Sequence, residues 1–251
     1  MQRKLSLIIL ITLFTLTVNA QFKKGMRMAG ASIGSTFFSS TTSDYGFPPP
    51  TSGYTNSNTS FGLNLTPSLG WFISDHSAIG AQFNLGYNHQ KNFDKDAVSG
   101  NTTNKNTYNS FTLGIGGFAR NYFNASGSVL PYGQFNLNLG IGSSSNKGFA
   151  FITNSNPVYK NTYDGKSSGD FFANAGLAGG LTKKLNDYTG LDFNLGYTFS
   201  YYKNTTKTVS KIDLNNDGSI DETRTSEPTR KVTSHGVTFS IAFQVFLDPR
   251  K

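Results

Sequence analysis

The chain has 251 residues, with 22 lysines and arginines against 14 aspartates and glutamates, a formal charge of +8 and no cysteine. The absence of cysteine excludes disulfides and thiol chemistry. The basic residues are scattered and no aromatic-basic binding module accompanies them, so nucleic acid is excluded as a partner despite the charge.

The N-terminus reads as an export signal. Arg3 and Lys4 precede an apolar run over 5–18, and at roughly 14 residues that run is too short to span a bilayer comfortably. Val18-Asn19-Ala20 supplies the small residues of a cleavage site, which predicts a signal peptide over 1–20 and a mature domain over 21–251. Losing Arg3 and Lys4 lowers the charge to about +6. No cysteine follows the apolar run, so a lipoprotein is excluded. Mean hydropathy is negative, which does not argue against a membrane barrel, because only alternate strand residues touch lipid.

Period-two alternation then predicts eight strands. The first covers 24–38, with Ala29, Ala31, Ile33 and Phe37 outward. The second covers 60–73, with Phe61, Leu63, Leu65, Pro67, Leu69, Trp71 and Ile73 on one face and Gly62, Asn64, Thr66, Ser68, Gly70 and Phe72 on the other. The third (78–90) and fourth (108–123) turn out Ile79, Phe83, Leu85, Tyr87, Phe111, Leu113 and Ile115. The fifth (129–143) and sixth (169–184) turn out Phe135, Leu137, Leu139, Ile141, Phe171, Leu177 and Leu181. The seventh (189–202) and eighth (232–247) turn out Leu191, Phe193, Leu195, Tyr197, Phe199, Tyr201, Val237, Phe239, Ile241, Phe243, Val245 and Leu247. One face is large and apolar, and the other is mostly Gly, Asn, Gln, Ser and Thr. That pairing suits a small barrel with lipid outside and a cramped polar interior.

The connections alternate in length. Ser74-Asp75-His76-Ser77, the stretch from Asn124-Ala125-Ser126 to Ser128, and Asn186-Asp187-Tyr188 read as tight turns. The segments 40–59, 91–107, 144–168 and 203–231 read as long polar loops, the first stiffened by Pro48-Pro49-Pro50. Short turns on one side and long loops on the other are the pattern of outer-membrane barrels.

Gly117-Phe118-Ala119-Arg120-Asn121-Tyr122-Phe123, followed by Leu130-Pro131-Tyr132-Gly133, resembles the G-x-F-x-R-Y-Y-F … P-Y/F stretch of the outer-membrane β-barrel domain family. That family is related in architecture to OmpA and OmpX barrels. The resemblance covers the mature chain in architecture and only this strand-turn-strand segment in wording, with Asn121 in place of the usual Tyr. It implies a fold rather than an activity. The chain ends soon after strand eight, with no room for the peptidoglycan-binding domain that OmpA carries.

Inward parity gathers Asn64, Gln82, Asn84, Asn88, Gln134, Asn136, Asn138, Asn174, Asn194 and Gln244. This predicts a hydrogen-bonded amide core that fills an eight-stranded barrel, with a water-filled pore as the competing reading. Arg120 and Asp192 share that parity near the turn end and predict a structural interior pair, each offsetting the other's burial. Catalysis would need a nucleophile, a base and an orienting acid close together. His76, His89, His235, Ser234, Ser240, Glu222 and Glu227 show no diagnostic spacing, so no catalytic or cofactor-binding residue is assigned.

Asp213, Asn215, Asp217, Ser219 and Asp221, with Gly218, fit the first nine positions of an EF-hand-type calcium loop. Position twelve, where a bidentate Glu belongs, is Arg224, and no helices flank the loop. The competing reading is a hairpin tip, with 209–214 and 219–225 pairing around an Asn-Asp-Gly turn.

The expected architecture is an all-β, eight-stranded antiparallel up-and-down transmembrane β-barrel, with short periplasmic turns and long extracellular loops. The expected location is the outer membrane of a Gram-negative envelope, and the expected state a monomer. The expected partners are outer-membrane lipids, lipopolysaccharide meeting Lys91, Lys105, Lys160, Lys203 and Lys231, with a merely soluble loop surface as the competing reading of those lysines, and an extracellular ligand on the loops. The expected role is a scaffold for surface interaction or envelope stabilisation, not an enzyme. A lipid A-modifying enzyme and a narrow channel are the alternatives. No cofactor is expected beyond weak Ca2+.

Overall fold

A computed structural model describes residues 22–45, 53–97, 99–123, 127–152 and 158–248, except the side chains of 35–38, Tyr45 and Ser168. The predicted signal peptide and its cleavage site, Pro48-Pro49-Pro50, Asn124-Ala125-Ser126 and the side chain of Phe37 lie outside the described residues.

The described residues form nine strands: β1 (Arg27–Tyr45), β2 (Tyr54–Phe72), β3 (Ser77–Asp96), β4 (Thr102–Tyr122), β5 (Val129–Ile152), β6 (Tyr159–Lys184), β7 (Thr189–Asp213), β8 (Glu222–Ser226) and β9 (Thr229–Leu247). Eight of them are the predicted strands. The ninth, β8, folds back on β7 with Ile212 opposite Glu222 and Thr208 opposite Ser226. The long strands run well past their predicted outer ends, so most of what reads as loop is a hairpin extension. Ser, Thr and Asn carry little alternation signal, yet each adds a ladder pair once its partner strand is in register.

Each of the eight long strands pairs antiparallel with two neighbours, and β9 pairs with β1, so the sheet closes. The register can be walked around the ring. Leu247 faces Arg27, then Trp71, Ile79, Ala119, Phe135, Leu177 and Tyr197, and the walk returns to β9 at Val237. From Leu247 to Val237 the displacement is ten residues. That stagger on eight strands gives a strand tilt of roughly 35–45° and fixes the bore. The displacement is even, so inward parity meets inward parity at the seam.

The turns follow from local chemistry. Ser74 Oγ accepts from the backbone N–H of His76 (3.3 Å) and Ser77 (3.0 Å), closing β2 to β3. Asn186 Oδ1 accepts from the N–H of Tyr188 and Thr189, both at 2.8 Å, closing β6 to β7. These are side-chain mimics of a backbone turn.

The outward apolar set is exposed as predicted, including Leu65, Leu69, Phe83, Ile115, Leu139, Leu177, Leu195, Val237 and Phe239. A belt of this size is not a water-facing surface. Inside, glycines make room for large inward neighbours. A Cβ at Gly80 or Gly70 would collide with the ring of Phe118, and one at Gly140 or Gly114 with Phe172.

If this parity is correct, Leu65→Arg and Leu195→Arg should each destabilise the barrel by about 2–4 kcal/mol near the midplane. Thr205→Arg, outward on β7 above the belt, should stay within about 0.5 kcal/mol. Denaturant titration of the protein refolded into lipid measures both. Equal tolerance at all three positions would refute the assignment.

Candidate functional site

The interior is layered from the turn end outward. At the bottom is an apolar plug of Phe22, Met26, Met28, Phe72, Leu130 and Phe246, with Tyr122 and Tyr132 above it. Phe22 stacks on Phe72 at 4.4 Å between ring centroids and leans on Tyr122 and Phe246. The sequence reading missed this plug. Its signal was present, because Phe72, Phe118, Phe172 and Phe246 interrupt the small and polar face at inward parity.

Above the plug the predicted interior pair is formed. Arg120 Nη1 donates to Asp192 Oδ2 at 2.6 Å, and the two residues are 5% and 1% exposed. Arg120 Nε donates to Gln134 Oε1 (2.6 Å), and its guanidinium lies 4.0 Å from the ring centroid of Tyr132. Asp192 also accepts from Thr182 Oγ1 (2.6 Å) and Gln244 Nε2 (3.2 Å). With this shell both charges keep hydrogen-bond partners out of water, the condition under which a buried pair is tolerated.

The amide layer comes next. Gln82 Nε2 and Asn84 Nδ2 both donate to Asn138 Oδ1, at 2.6 and 2.8 Å. Gln134 Nε2 donates to Asn136 Oδ1 at 2.6 Å. The predicted amides point inward, but they do not fill the bore. A cavity of about 270 Å³ remains, walled by side chains such as Asn64, Thr66, Asn84, Asn174, Asn194 and Ser240. That is far more than the ~10–15 Å³ one water needs, and the lining is polar enough to hold water. The prediction of a completely filled core is corrected here. The inward glycines that admit Phe118 and Phe172 also remove side-chain volume between them.

A second buried network sits higher, at Asp170, which is 1% exposed. Its Oδ2 accepts from Ser167 Oγ (2.8 Å) and Tyr202 OH (2.5 Å), and Ser144 Oγ lies 2.6 Å from Ser167 Oγ. Among the described residues its Oδ1 has no hydrogen-bond partner. Asp170 shares the inward parity of Phe172 and Asn174, but a bulge between Ser167 and Phe171 moves Ser167 off that parity, so the sequence does not show the two as one group.

The outer rim is basic. Lys166 lies directly opposite Lys207, and Lys203 opposite Lys231. Lys147, Lys166, Lys207 and Lys211 line an external groove of about 610 Å³ above the apolar belt. Lys147 pairs with Asp164 at 2.9 Å and Lys207 with Glu227 at 3.4 Å. Of the other rim lysines predicted, Lys91 lies over Phe93, and Lys160 over Phe149 and Phe151.

The last hairpin brings the motif residues together as a tip. Asp213 accepts from the N–H of Asp217 (3.1 Å) and Gly218 (2.9 Å), and Asp221 Oδ2 from the N–H of Leu214 (2.6 Å). Asn215 Nδ2 donates to Asp217 Oδ2 at 2.9 Å, and Ser219 donates its N–H to Asp217 Oδ1 at 2.8 Å. The Ser219 N–H holds the Asp217 carboxyl below the usual carboxylate range. Asn216 and Gly218 adopt positive φ, as a tight tip requires. Among the described residues no group of three or more His, Cys, Asp and Glu is placed to hold a metal ion.

Four of the residues weighed for catalysis have separate partners. His235 Nδ1 bonds Tyr197 OH, His89 Nδ1 lies 2.7 Å from Asn109 Oδ1, Glu222 pairs with Arg224, and Glu227 with Lys207.

No family model matches the chain, and no curated protein matches it. Similar solved structures include the outer membrane protein OprG from Pseudomonas aeruginosa, at 14% identity and TM-score 0.35, over 91% of this chain and 99% of that one. Neisserial surface protein A is similar at 15% identity and TM-score 0.33, over 88% and 97%. The outer membrane protease OmpT from Escherichia coli is similar at 8% identity and TM-score 0.32, over 94% and 100%. The architecture assigned here rests on the chain's own strand pairing.

Asp192→Asn should destabilise the barrel by about 3–5 kcal/mol, because it leaves Arg120 charged and buried without its counter-ion. Arg120→Met combined with Asp192→Leu should recover much of that loss. A double-mutant cycle in urea decides the matter, and strictly additive losses would contradict the pairing.

Proposed function

We propose that this chain is an outer-membrane barrel that acts as a non-catalytic scaffold. In this reading it stabilises the envelope by binding lipopolysaccharide phosphates at its rim and presents its hairpin extensions for surface contacts. The observation that carries the reading is the opposed lysines Lys203–Lys231 on the outward face just above the apolar belt, with Lys166 opposite Lys207, whose charge Glu227 meets only at 3.4 Å. Like charges directly opposite on a sheet destabilise it. An anion between them reverses the sign, and in a Gram-negative outer leaflet the anions at that height are lipid phosphates. The apolar plug closes the turn end of the described interior, which favours a scaffold over a through-channel.

The test is lipopolysaccharide carried by the purified protein. Replacing Lys166, Lys203, Lys207 and Lys231 with serine removes about 1 kcal/mol of surface attraction per lysine. The variant should lose most bound lipopolysaccharide and keep the different migration of boiled and unboiled samples that marks a closed barrel. Full retention of lipopolysaccharide by the variant would overturn the proposal.

For the last hairpin the proposal extends to weak calcium binding by Asp213, Asn215, Asp217, Ser219 and Asp221. Support comes from the spacing of their oxygen donors in the sequence, which a cation would have to draw together, and from Arg224, whose charge is offset by Glu222 at 2.5 Å. Calcium at about 10 mM, well above the roughly 10⁻⁴–10⁻³ M range of extracellular modules, should slow proteolysis of 203–231. Asp213→Ala with Asp217→Ala should abolish that protection. An unchanged cleavage rate in the parent protein leaves a plain hairpin tip.

A further inference from the structure

The amide cavity carries more hydrogen-bonding capacity than the barrel itself uses. Its volume is about 270 Å³, and none of its lining side chains is charged. The Arg120–Asp192 pair sits one layer below, where each ion answers the other at 2.6 Å. What faces the cavity is mainly amide and hydroxyl. Asn64, Asn84, Asn138, Asn174, Thr198 and Ser240 come from β2, β3, β5, β6, β7 and β9. Polar groups thus converge on one space from around the ring, as they do in a ligand pocket.

An amide offers two donors and an acceptor oxygen with two lone pairs. Within the layer Asn138 Oδ1 takes two donors, from Gln82 and Asn84, and Asn84 Oδ1 accepts from Thr66 Oγ1 at 3.3 Å. Asn64 and Asn174 are used differently. They stand on β2 and β6, four strands apart on the closed ring, and so on opposite sides of the bore. Both line the cavity, and among the described residues neither makes a side-chain hydrogen bond. Their donors and acceptors are open to whatever fills the space between them.

One inward aromatic ring joins these amides. Phe172 lies on β6, two residues before Asn174, and is buried. A Cβ at Gly140 or Gly114 would collide with its ring. The two glycines let the ring lie against the backbone of β5 and β4, and that backing holds it at the cavity wall. An occupant therefore meets an apolar ring on one side and groups that both donate and accept on the others. A sugar ring has both matching features, a C–H surface and hydroxyls. A cation finds no carboxylate in this wall and an anion no lysine or arginine, so a charged group here stays unpaired. The volume is just below the roughly 300 Å³ at which pockets for drug-sized ligands begin, which limits the occupant to a single ring.

We propose that the amide cavity binds one neutral polyol of monosaccharide size, its hydroxyls bonded to Asn64 and Asn174 and its C–H surface toward Phe172. This role goes beyond the scaffold reading and depends neither on the lysine rim nor on the last hairpin.

The probes are glucose, galactose and mannose, each offered singly to the full-length protein in lipid nanodiscs. Glucosamine, protonated in mildly acidic buffer, and glucuronate are charged rings of the same size. Saturation-transfer NMR titrations read the affinity of each. At least one neutral sugar should bind saturably, and both charged sugars should bind at least about ten-fold more weakly. Asn64→Leu and Asn174→Leu keep the side-chain shape and remove the hydrogen bonds, and each should weaken the neutral sugar about ten-fold. Asn174→Asp adds a carboxylate to the wall and should reverse the preference, so that glucosamine binds more tightly than the neutral sugar. Each variant is first checked for the boiled-against-unboiled migration shift, and the comparison of neutral with charged sugars on the parent protein needs no variant. No saturable binding by any of the three neutral sugars, or affinity unchanged by both leucine substitutions, would overturn the site. Equal binding of a neutral sugar and either charged one to the parent protein would overturn the assigned ligand class.

Discussion

Everything in this molecule follows from the need to satisfy backbone hydrogen bonds where no water can do so. A sheet in lipid has no tolerable edge, so it must close. Closing eight tilted strands with a ten-residue stagger fixes the bore, and the even stagger fixes which residues see it. Those two facts assign the remaining side chains. Large apolar residues take the outer face, which has unlimited room. Inside, each large residue needs small neighbours, so Phe118 sits over Gly70 and Gly80, and Phe172 over Gly114 and Gly140. The inner layers are a packing solution as much as a chemical one.

This explains how much of the fold the sequence could show. Leu65 or Val237 announces its face by itself, because lipid is the same everywhere and no particular partner is needed. The strands and turns at the lower end were therefore legible from period and turn residues. The outer extensions were not. Ser39 to Thr42 and Asn104 to Thr107 look like loop because polar residues on both faces leave no period, while the backbone ladder of β3 and β4 runs on through Lys95 and Thr102. The interior was legible in part. Arg120 and Asp192 were found because a charge at inward parity has few acceptable fates. Phe22, Phe72 and Phe246 were missed because their meaning depends on one another across the barrel.

The two buried carboxylates show why inward chemistry resists reading one residue at a time. Asp192 is held by a guanidinium, a hydroxyl and an amide, which satisfy both of its oxygens. Asp170 is equally buried but is held only by hydroxyls on one oxygen. In sequence the two look alike, each an aspartate amid small and aromatic residues. Burying a charge with neutral donors alone costs more than burying it beside a cation. The outer network is therefore the less stabilised of the two, and the rigid part of the interior lies toward the turn end.

The same gradient runs through the wall. At the turn end every strand has two partners and the plug packs against all sides, so that end resists deformation. Toward the rim the β1–β9 ladder ends at Gly34–Ser240, just below a bulge in β1. The cavity there is lined by amides that bond to each other. The packed core thus lies entirely below the last β1–β9 pair, Gly34–Ser240. Below Gly34 and Ser240, Gln244 and Met28 fill the space behind the seam.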